Sequence, residues 1–217
     1  MYTALSCRCT AITDGAFMRG AFGRCKKRWF QTIITGLGNP KNQYQYTKHN
    51  AGVLMADLLK KELAQRQSWV KYGKKSLAEY VVLQDKNVIL CKNTGGYMNL
   101  SGETFLPIWK SLEREHRPSD GVTECVVIFD DLDTPFGKVK LRKPGTSTKG
   151  HNGLKDIANK LGHLNFYKLA IGIGRPAERD PQQVVNHVLS KFNNNELSIL
   201  EQECLPETLR LLEPFLR

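Results

Sequence analysis

The chain has 217 residues, long enough for one domain with a full hydrophobic core and a cleft. Its 41% hydrophobic and 24% charged residues are typical of an ordinary soluble globular protein. The 32 Lys and Arg residues exceed the 21 Asp and Glu residues, which gives a formal net charge of +11. This excess favours a polyanionic partner, with nucleic acid ahead of an anionic membrane surface. Basic residues that serve only solubility are the open alternative.

Cysteine usage and hydropathy exclude two further classes of protein. None of the six cysteines shows C-x-x-C spacing, so the sequence predicts neither a zinc site nor a disulfide framework. No apolar run approaches the roughly 20 residues that a membrane-spanning helix needs, so we expect no membrane partner.

Residues 1–28 are predicted to be a basic leader, separate from a folded domain over residues 29–217. The leader is rich in Arg, Thr and Ala, and Asp14 is its one acidic residue. This composition favours a mitochondrial transit peptide and thus a mitochondrial protein. A disordered tail that is not removed, or initiation at Met18, is the alternative, and the protein would then be cytoplasmic.

Strands and helices alternate along the predicted domain. Short runs rich in Val, Ile and Phe predict strands at residues 30–36, 79–83, 87–91, 125–130, 138–142 and 166–173. Apolar residues at helical spacing and capping residues predict helices at residues 50–65, 103–116, 152–161, 182–189 and from 193 to the C-terminus, with a break at Pro206 left open. The polar segment 65–76 is predicted to be a connecting loop. The alternation predicts a single α/β domain with a mixed, mostly parallel twisted sheet and helices on both faces.

Two interpretations compete for the loop from Gly36 to Asn50, which follows the first strand. A dinucleotide-binding loop needs a third glycine at the start of the next helix, and here that helix begins about ten residues after Gly38. The dinucleotide interpretation is therefore weak, and His49 at the far end of the loop is the better candidate for a functional residue.

His49 falls in the first turn of the predicted helix, with Thr47 as its candidate cap. The positive end of the helix dipole disfavours an imidazolium, so a histidine here is predicted to be neutral and available as a base. Such a base needs an acceptor for its other ring nitrogen, and Asp130 at the end of an apolar strand is the best candidate. Asp131 and Asp133 are predicted to be solvated loop charges. Taken alone, a histidine at this position is more often a capping or packing residue than a catalyst.

Three asparagines, Asn39, Asn99 and Asn152, lie at the ends of loops. An asparagine can fix an amide, an ester carbonyl or a water, although it also caps turns and helices frequently. The chain has no G-x-S-x-G elbow and no metal-ligand spacing, so direct attack by water is the simplest hydrolytic mechanism.

Basic residues alternate along the predicted strand at 138–142. Lys138, Lys140 and Arg142 would share one face of the strand, and Lys149 follows. Such a row can bind phosphates, and a solvated strand face is the alternative.

Five motifs in this order make the chain similar to a known family: GLGNPKNQYQYTKHNAG, YMNLSGE, FDDLDTPFGKVKLR, GTSTKGHNGLKDI and KLAIGIGRP. They resemble the bacterial-type peptidyl-tRNA hydrolases, over most of the predicted domain. The basic leader resembles organellar members of that family, and YMNLSGE with LAIGIGR is similar to fungal ones.

The resemblance implies hydrolysis of the ester between a peptide and the 3′ ribose of tRNA, with no metal and no cofactor. It implies that His49 is the base and Asp130 its orienting carboxylate. Asn39 and Asn99 match residues that hold the water and the peptide main chain, and Asn152 matches a further amide that positions substrate. Tyr44 and Met98 match positions that line the site, and His151 matches one in a gating loop. Lys140 and Arg142 coincide with the family's 5′-phosphate clamp.

Three departures from the family pattern affect these expectations. The segment KNTGGYMN has two glycines where the family usually has Pro-x-Thr, which changes the predicted peptide-binding loop. Thr146 to Lys149 replace a glycine-rich gate, and Ala170 stands where a basic residue is common. An inactive RNA-binding or splicing cofactor on the same fold is the alternative function. A monomer is the default expectation.

Overall fold

The structure, a computed structural model, describes residues 32–73, 77–116, 123–177 and 180–216. The predicted leader lies outside the described residues. Among the helices that the structure describes, none combines the length and the hydropathy that crossing a bilayer requires.

Seven strands and seven helices alternate along the described residues. The strands are β1 (Thr32–Gly36), β2 (Val70–Tyr72), β3 (Ala78–Leu83), β4 (Val88–Asn93), β5 (Glu124–Asp131), β6 (Val139–Arg142) and β7 (Tyr167–Gly172). The helices are α1 (Lys41–Tyr44), α2 (Ala51–Leu63), α3 (Ser101–His116), α4 (Asn152–Leu161), α5 (Pro181–Leu189), α6 (Asn194–Ile199) and α7 (Leu205–Leu212). Single 3-10 turns precede α2 and α3, at Lys48–Asn50 and Met98–Leu100.

All seven strands form one mixed sheet in the order β2-β3-β4-β1-β5-β7-β6. The four central strands, β4, β1, β5 and β7, are parallel, whereas β2, β3 and β6 pair antiparallel at the two edges. The predicted α/β class and mixed sheet are confirmed. Because β1 and β5 are parallel neighbours, the loops after them open at the same edge of the sheet.

Successive strand residues pack into two separate cores, one on each face of the sheet. Ile34 and Ile128 join the core under α2 and the C-terminal helices, and Ile33 and Phe129 join the core under α3 and α4. Helices therefore cover both faces, as predicted.

Gly52 brings the start of α2 into contact with the sheet. A Cβ atom there would lie 2.4 Å from the Ile128 carbonyl oxygen and 2.6 Å from that of Leu37, so only glycine fits. This close approach places His49, three residues earlier, beside the carboxyl end of β5.

One local prediction was wrong, and one open question is resolved. Residues 65–76 were predicted to be a loop, but β2 forms within them because Val70 to Tyr72 pair with β3. The break at Pro206 does not occur, because Pro206 lies in the first turn of α7, where a missing N–H costs little. A π-helical turn, Leu200–Cys204, instead joins α6 to α7.

Candidate active site

His49 and Asp130 meet at the carboxyl end of β5. His49 lies in the 3-10 turn before α2, and its Nδ1 is 2.9 Å from both carboxylate oxygens of Asp130. The Asp130 side chain is 3% exposed and that of His49 18% exposed. The predicted cap is wrong, because the Thr47 hydroxyl donates to the Tyr44 carbonyl instead of capping the helix. The predicted pairing of His49 with Asp130 is present.

The Asp130 carboxylate determines the protonation of this pair. Burial raises the pKa of Asp130, but its interactions with His49 and His151 outweigh burial and hold the pKa far below the usual range. Burial likewise lowers the pKa of His49, yet the charge and hydrogen bond of Asp130 raise it above the ordinary 6.5. The pKa of His49 thus moves opposite to the lowering expected from the helix dipole, because the nearby carboxylate favours the imidazolium.

His151 is a second donor to the same carboxylate, which the sequence did not indicate. Its Nε2 lies 3.0 Å from Asp130 Oδ1, and its Nδ1 accepts the Leu154 N–H at 3.3 Å. His151, not Asn152, is thus the N-cap of α4. Since Nδ1 is an acceptor, the proton of a neutral His151 ring lies on Nε2 and points at Asp130.

The same reasoning assigns the tautomer of His49. An ionised Asp130 only accepts hydrogen bonds, so His49 Nδ1 carries a proton and donates it to the carboxylate. The lone pair of the neutral ring is then on Nε2, the nitrogen that points away from Asp130. This arrangement can accept a proton from a water molecule.

Among the residues that the structure describes, His49, Asp130 and His151 form a group that could hold a metal ion, since their ligand atoms lie within 4.8 Å of one another. A metal at this cluster would need the lone pair of His151 Nε2, and the ring proton would then have to be on Nδ1. That proton would face the Leu154 N–H, so two donors would oppose each other. The hydrogen bonds therefore favour proton transfer over metal binding at this cluster.

Asn39 joins the loop after β1 to the loop before α3. Its side-chain oxygen accepts the Met98 N–H at 2.9 Å, and its own backbone is held by Asn50 through bonds of 2.8 and 3.1 Å. Met98 is buried, whereas Asn99 beside it is exposed. Sequence reasoning missed Asn50, although its position directly after His49 was a usable signal.

Asn93 organises the unusual loop at Gly95 and Gly96. The buried Asn93 side chain accepts the Gly96 N–H at 2.9 Å and donates to the carbonyls of Gly38 and Gly96. A Cβ on Gly96 would lie 2.5 Å from the Thr104 hydroxyl. The departure from the family pattern is therefore a tightly held loop, and sequence reasoning did not identify Asn93.

Two other predicted residues lie at loop ends. Tyr44 ends α1, and its carbonyl accepts both the N–H and the hydroxyl of Thr47. Asn152 is the exposed first residue of α4, directly after His151.

The predicted basic row is divided. Lys138 and Lys140 are exposed, but Arg142 points inward, donates to Asp131 and lies 5.7 Å from the Phe129 ring centroid. Asp131 was wrongly predicted to be solvated: it ends β5, is buried and also accepts the Thr134 hydroxyl.

Lys149 and Asp133 lie in exposed loops after β6 and β5. Lys149 Nζ is 3.6 Å from the Asp133 carboxylate, which also pairs with Arg175 at 2.8 Å. Lys149 adopts a left-handed backbone, with φ of 49°. Asp133 is exposed as predicted, and it joins two basic residues at the edge of the site.

Comparison with known proteins places this geometry in a family. A sequence model of peptidyl-tRNA hydrolase matches residues 33–217. A Saccharomyces cerevisiae peptidyl-tRNA hydrolase is 35% identical over 193 residues, covering 87% of this chain and 98% of the relative. A Sulfurihydrogenibium peptidyl-tRNA hydrolase is 39% identical, covering 82% and 90%. The crystal structure of Acinetobacter baumannii peptidyl-tRNA hydrolase superposes with a TM-score of 0.64 at 27% identity, covering 85% and 88%. The chain belongs to the peptidyl-tRNA hydrolase family.

Proposed function

We propose that this chain hydrolyses the ester that joins a peptide to the 3′ ribose of tRNA, with His49 as the general base. The observation that carries the proposal is the His49–Asp130 pair, in which Nδ1 is held at 2.9 Å and Nε2 is left as the basic nitrogen. Family membership supports the same reaction.

The reaction starts with proton transfer from water to His49 Nε2 as the water oxygen attacks the ester carbonyl. Asp130 stabilises the imidazolium that forms, because its carboxylate accepts the Nδ1 proton. The tetrahedral intermediate then collapses, the bond to the ribose 3′ oxygen breaks, and the imidazolium returns its proton to that oxygen. The products are a free tRNA 3′ end and a peptide carboxylic acid, which keeps the second proton of the water and releases it to solvent on ionising to the carboxylate.

Amide side chains around His49 are suited to hold the reacting groups. Asn99 and Asn152 are exposed at the ends of two loops, where their amides can donate to a peptide carbonyl or a developing oxyanion. Asn39 acts through its bond to the Met98 N–H, which fixes the loop that carries Asn99. Tyr44 and Met98 would then line the peptide site.

For tRNA, the proposal assigns phosphate contacts to Lys138 and Lys140 on the sheet edge and to Lys149 in the loop before α4. All three are exposed. Arg142 would reach a phosphate only after leaving Asp131, so its first effect is to link β6 to β5 across β7, which lies between them.

Alanine replacement of Lys138 and Lys140 together is expected to raise KM for peptidyl-tRNA while kcat stays unchanged. Each lost phosphate contact should also reduce the slope of log affinity against log salt by roughly 1. The measurement is tRNA binding and hydrolysis over a salt series. Lys71→Ala, an exposed lysine on β2 at the opposite sheet edge, is the matched control. Equal effects from both changes would reject a specific basic surface.

The decisive experiment is release of the blocked amino acid from N-blocked aminoacyl-tRNA by the purified chain. Ester cleavage without added metal supports the proposal. Binding of tRNA without any release would instead support the RNA-binding, splicing-type alternative.

We also propose that residues 1–28 direct the protein to mitochondria and that the folded domain acts as a monomer. The basic, acid-poor composition of the leader supports the first statement. A fluorescent fusion with and without residues 1–28 tests it, since equal distribution of the two fusions would reject a targeting role. Light scattering tests the monomer.

A further inference from the structure

The turn that carries His49 is joined to the C-terminal part of the chain. Residues 46–48 and residues 190–192 run antiparallel and form what we call the clasp. It consists of the Lys48 N–H bonded to Ser190 O at 2.9 Å, the Phe192 N–H bonded to Tyr46 O at 2.8 Å, and a β-bridge between Thr47 and Lys191. The segment before α6 thus holds the backbone immediately before His49.

A partly buried ion pair extends the clasp. Lys48 is only 6% exposed, and its Nζ lies 2.5 Å from Glu196 Oε1 on α6. The ammonium also lies 4.9 Å from the Phe192 ring centroid and 5.9 Å from that of Phe136. A lysine is rarely buried unless it is paired, and here one carboxylate and two aromatic faces compensate the charge.

The Glu196 carboxylate also caps the N-terminus of α6. Its other oxygen accepts the Asn193 N–H at 2.8 Å, and the Asn193 side chain accepts the Glu196 N–H at 2.9 Å, which completes a capping box on α6. Burial raises the pKa of Glu196, but the bonds from Lys48 and Asn193 outweigh it and lower the pKa overall. One carboxylate therefore links the start of α6 to the turn that bears the base.

That turn needs an external restraint. Tyr46 has a left-handed backbone, with φ of 63°, and the residue is 45% exposed, so little packing of Tyr46 itself holds this conformation. A base displaced by about 1 Å can lose about 10²-fold in rate.

We propose that Lys48 and Glu196 are a positioning pair for the hydrolysis reaction, fixing the turn so that His49 stays aligned with Asp130 and the attacking water. The inference rests on the proposed function, and neither residue touches the substrate. The helices after residue 193 thereby take part in catalysis without lying in the site.

Glu196→Gln removes the charge but keeps an oxygen that can complete the capping box. We expect kcat to fall about tenfold with KM within about twofold, measured well below the unfolding temperature. The NMR signal of the His49 Nδ1 proton should weaken or shift in the variant. A merely structural role would lower the unfolding temperature and leave both readouts of the folded protein unchanged.

Glu201→Gln is the matched control, because Glu201 follows α6 and pairs with Lys61 on α2 at 2.6 Å, with both side chains exposed. Its kcat should equal that of the wild type. If Glu196→Gln does not fold, the double variant Lys48→Met/Glu196→Gln, which leaves no unpaired charge, decides the question by the same kcat and KM measurements.

The outcomes separate this inference from the proposed function. Wild-type kcat in a folded Glu196→Gln or double variant, or a rise in KM alone, would overturn the positioning role. No hydrolysis by the wild type would overturn the proposed function instead.

Discussion

Replacing His49 with alanine is expected to lower kcat for ester hydrolysis by roughly 10²-fold or more, while tRNA affinity stays within about twofold. The reason is that Nε2 is the basic atom of the His49–Asp130 pair, whereas the exposed lysines proposed to bind phosphate lie on other elements. Single-turnover release of an N-blocked amino acid from tRNA measures the rate, and filter binding measures the affinity.

His163→Ala is a suitable control, because His163 is exposed and its ring accepts a hydrogen bond from the nearby Asn165 N–H. This variant should keep the wild-type kcat. Equal kcat values for His49→Ala and the wild type would remove His49 from the role of base and leave the reaction without an identified proton acceptor.

The wild-type pH profile follows from the same pair. Because Asp130 raises the pKa of His49, the neutral base becomes dominant only above the ordinary 6.5. We therefore expect kcat/KM to rise with pH through an apparent pKa above 6.5.

How much of this site was predictable depends on how far apart in the chain its members are. His49 and Asp130 were predictable, because His49 lies in the loop region after one strongly apolar strand and Asp130 near the end of another, and parallel strands end at one edge of the sheet. Lys48 and Glu196 were not, since 148 residues separate them and neither belongs to a recognisable pattern. Their contact exists only once the C-terminal helices fold back onto α2.

The orientation of charged side chains was the other feature that the sequence did not predict. Strand periodicity places Lys140 and Arg142 on one face of the sheet. Arg142 nevertheless turns toward Asp131, because the Asp131 carboxylate lies on the neighbouring part of the same face. Spacing indicates which face a residue occupies, but a buried ion pair depends on a partner that is distant in the sequence. The same limit hid the bond between His151 and Asp130.

Asp130→Asn is expected to lower kcat by roughly 10²- to 10⁴-fold without removing any residue that touches the substrate. Asp130 Oδ1 accepts bonds from both His49 and His151, and His49 Nδ1 also lies 2.9 Å from Oδ2. An asparagine places an NH₂ group at one of these positions. Because Leu154 fixes His151 as a donor, the oxygen turns to His151 and the NH₂ group faces His49 Nδ1.

A neutral His49 relieves the opposed donors by moving its proton to Nε2, and the base is lost in that tautomer. In the other tautomer, Nδ1 still donates to the oxygen that also accepts from His151. The residual activity should also show its acidic limb at lower pH, since burial lowers the pKa of His49 once the carboxylate is gone. Thermal unfolding provides a second test. The raised pKa of His49 adds stability that is complete below pH 6.5 and is lost as pH rises through the folded value, and the variant should lack this dependence.

Asp131→Asn is the matched control, because it alters the neighbouring buried carboxylate, which is bonded to Arg142 and Thr134 and not to either histidine. We expect this variant to lose stability while its residual kcat/KM keeps the wild-type acidic limb. If the acidic limb of kcat/KM stays at the same pH in Asp130→Asn, or moves equally in both variants, Asp130 does not control the protonation of His49. If the limb moves to lower pH in Asp130→Asn alone, the raised pKa of His49 is due to the Asp130 carboxylate, which His151 also contacts.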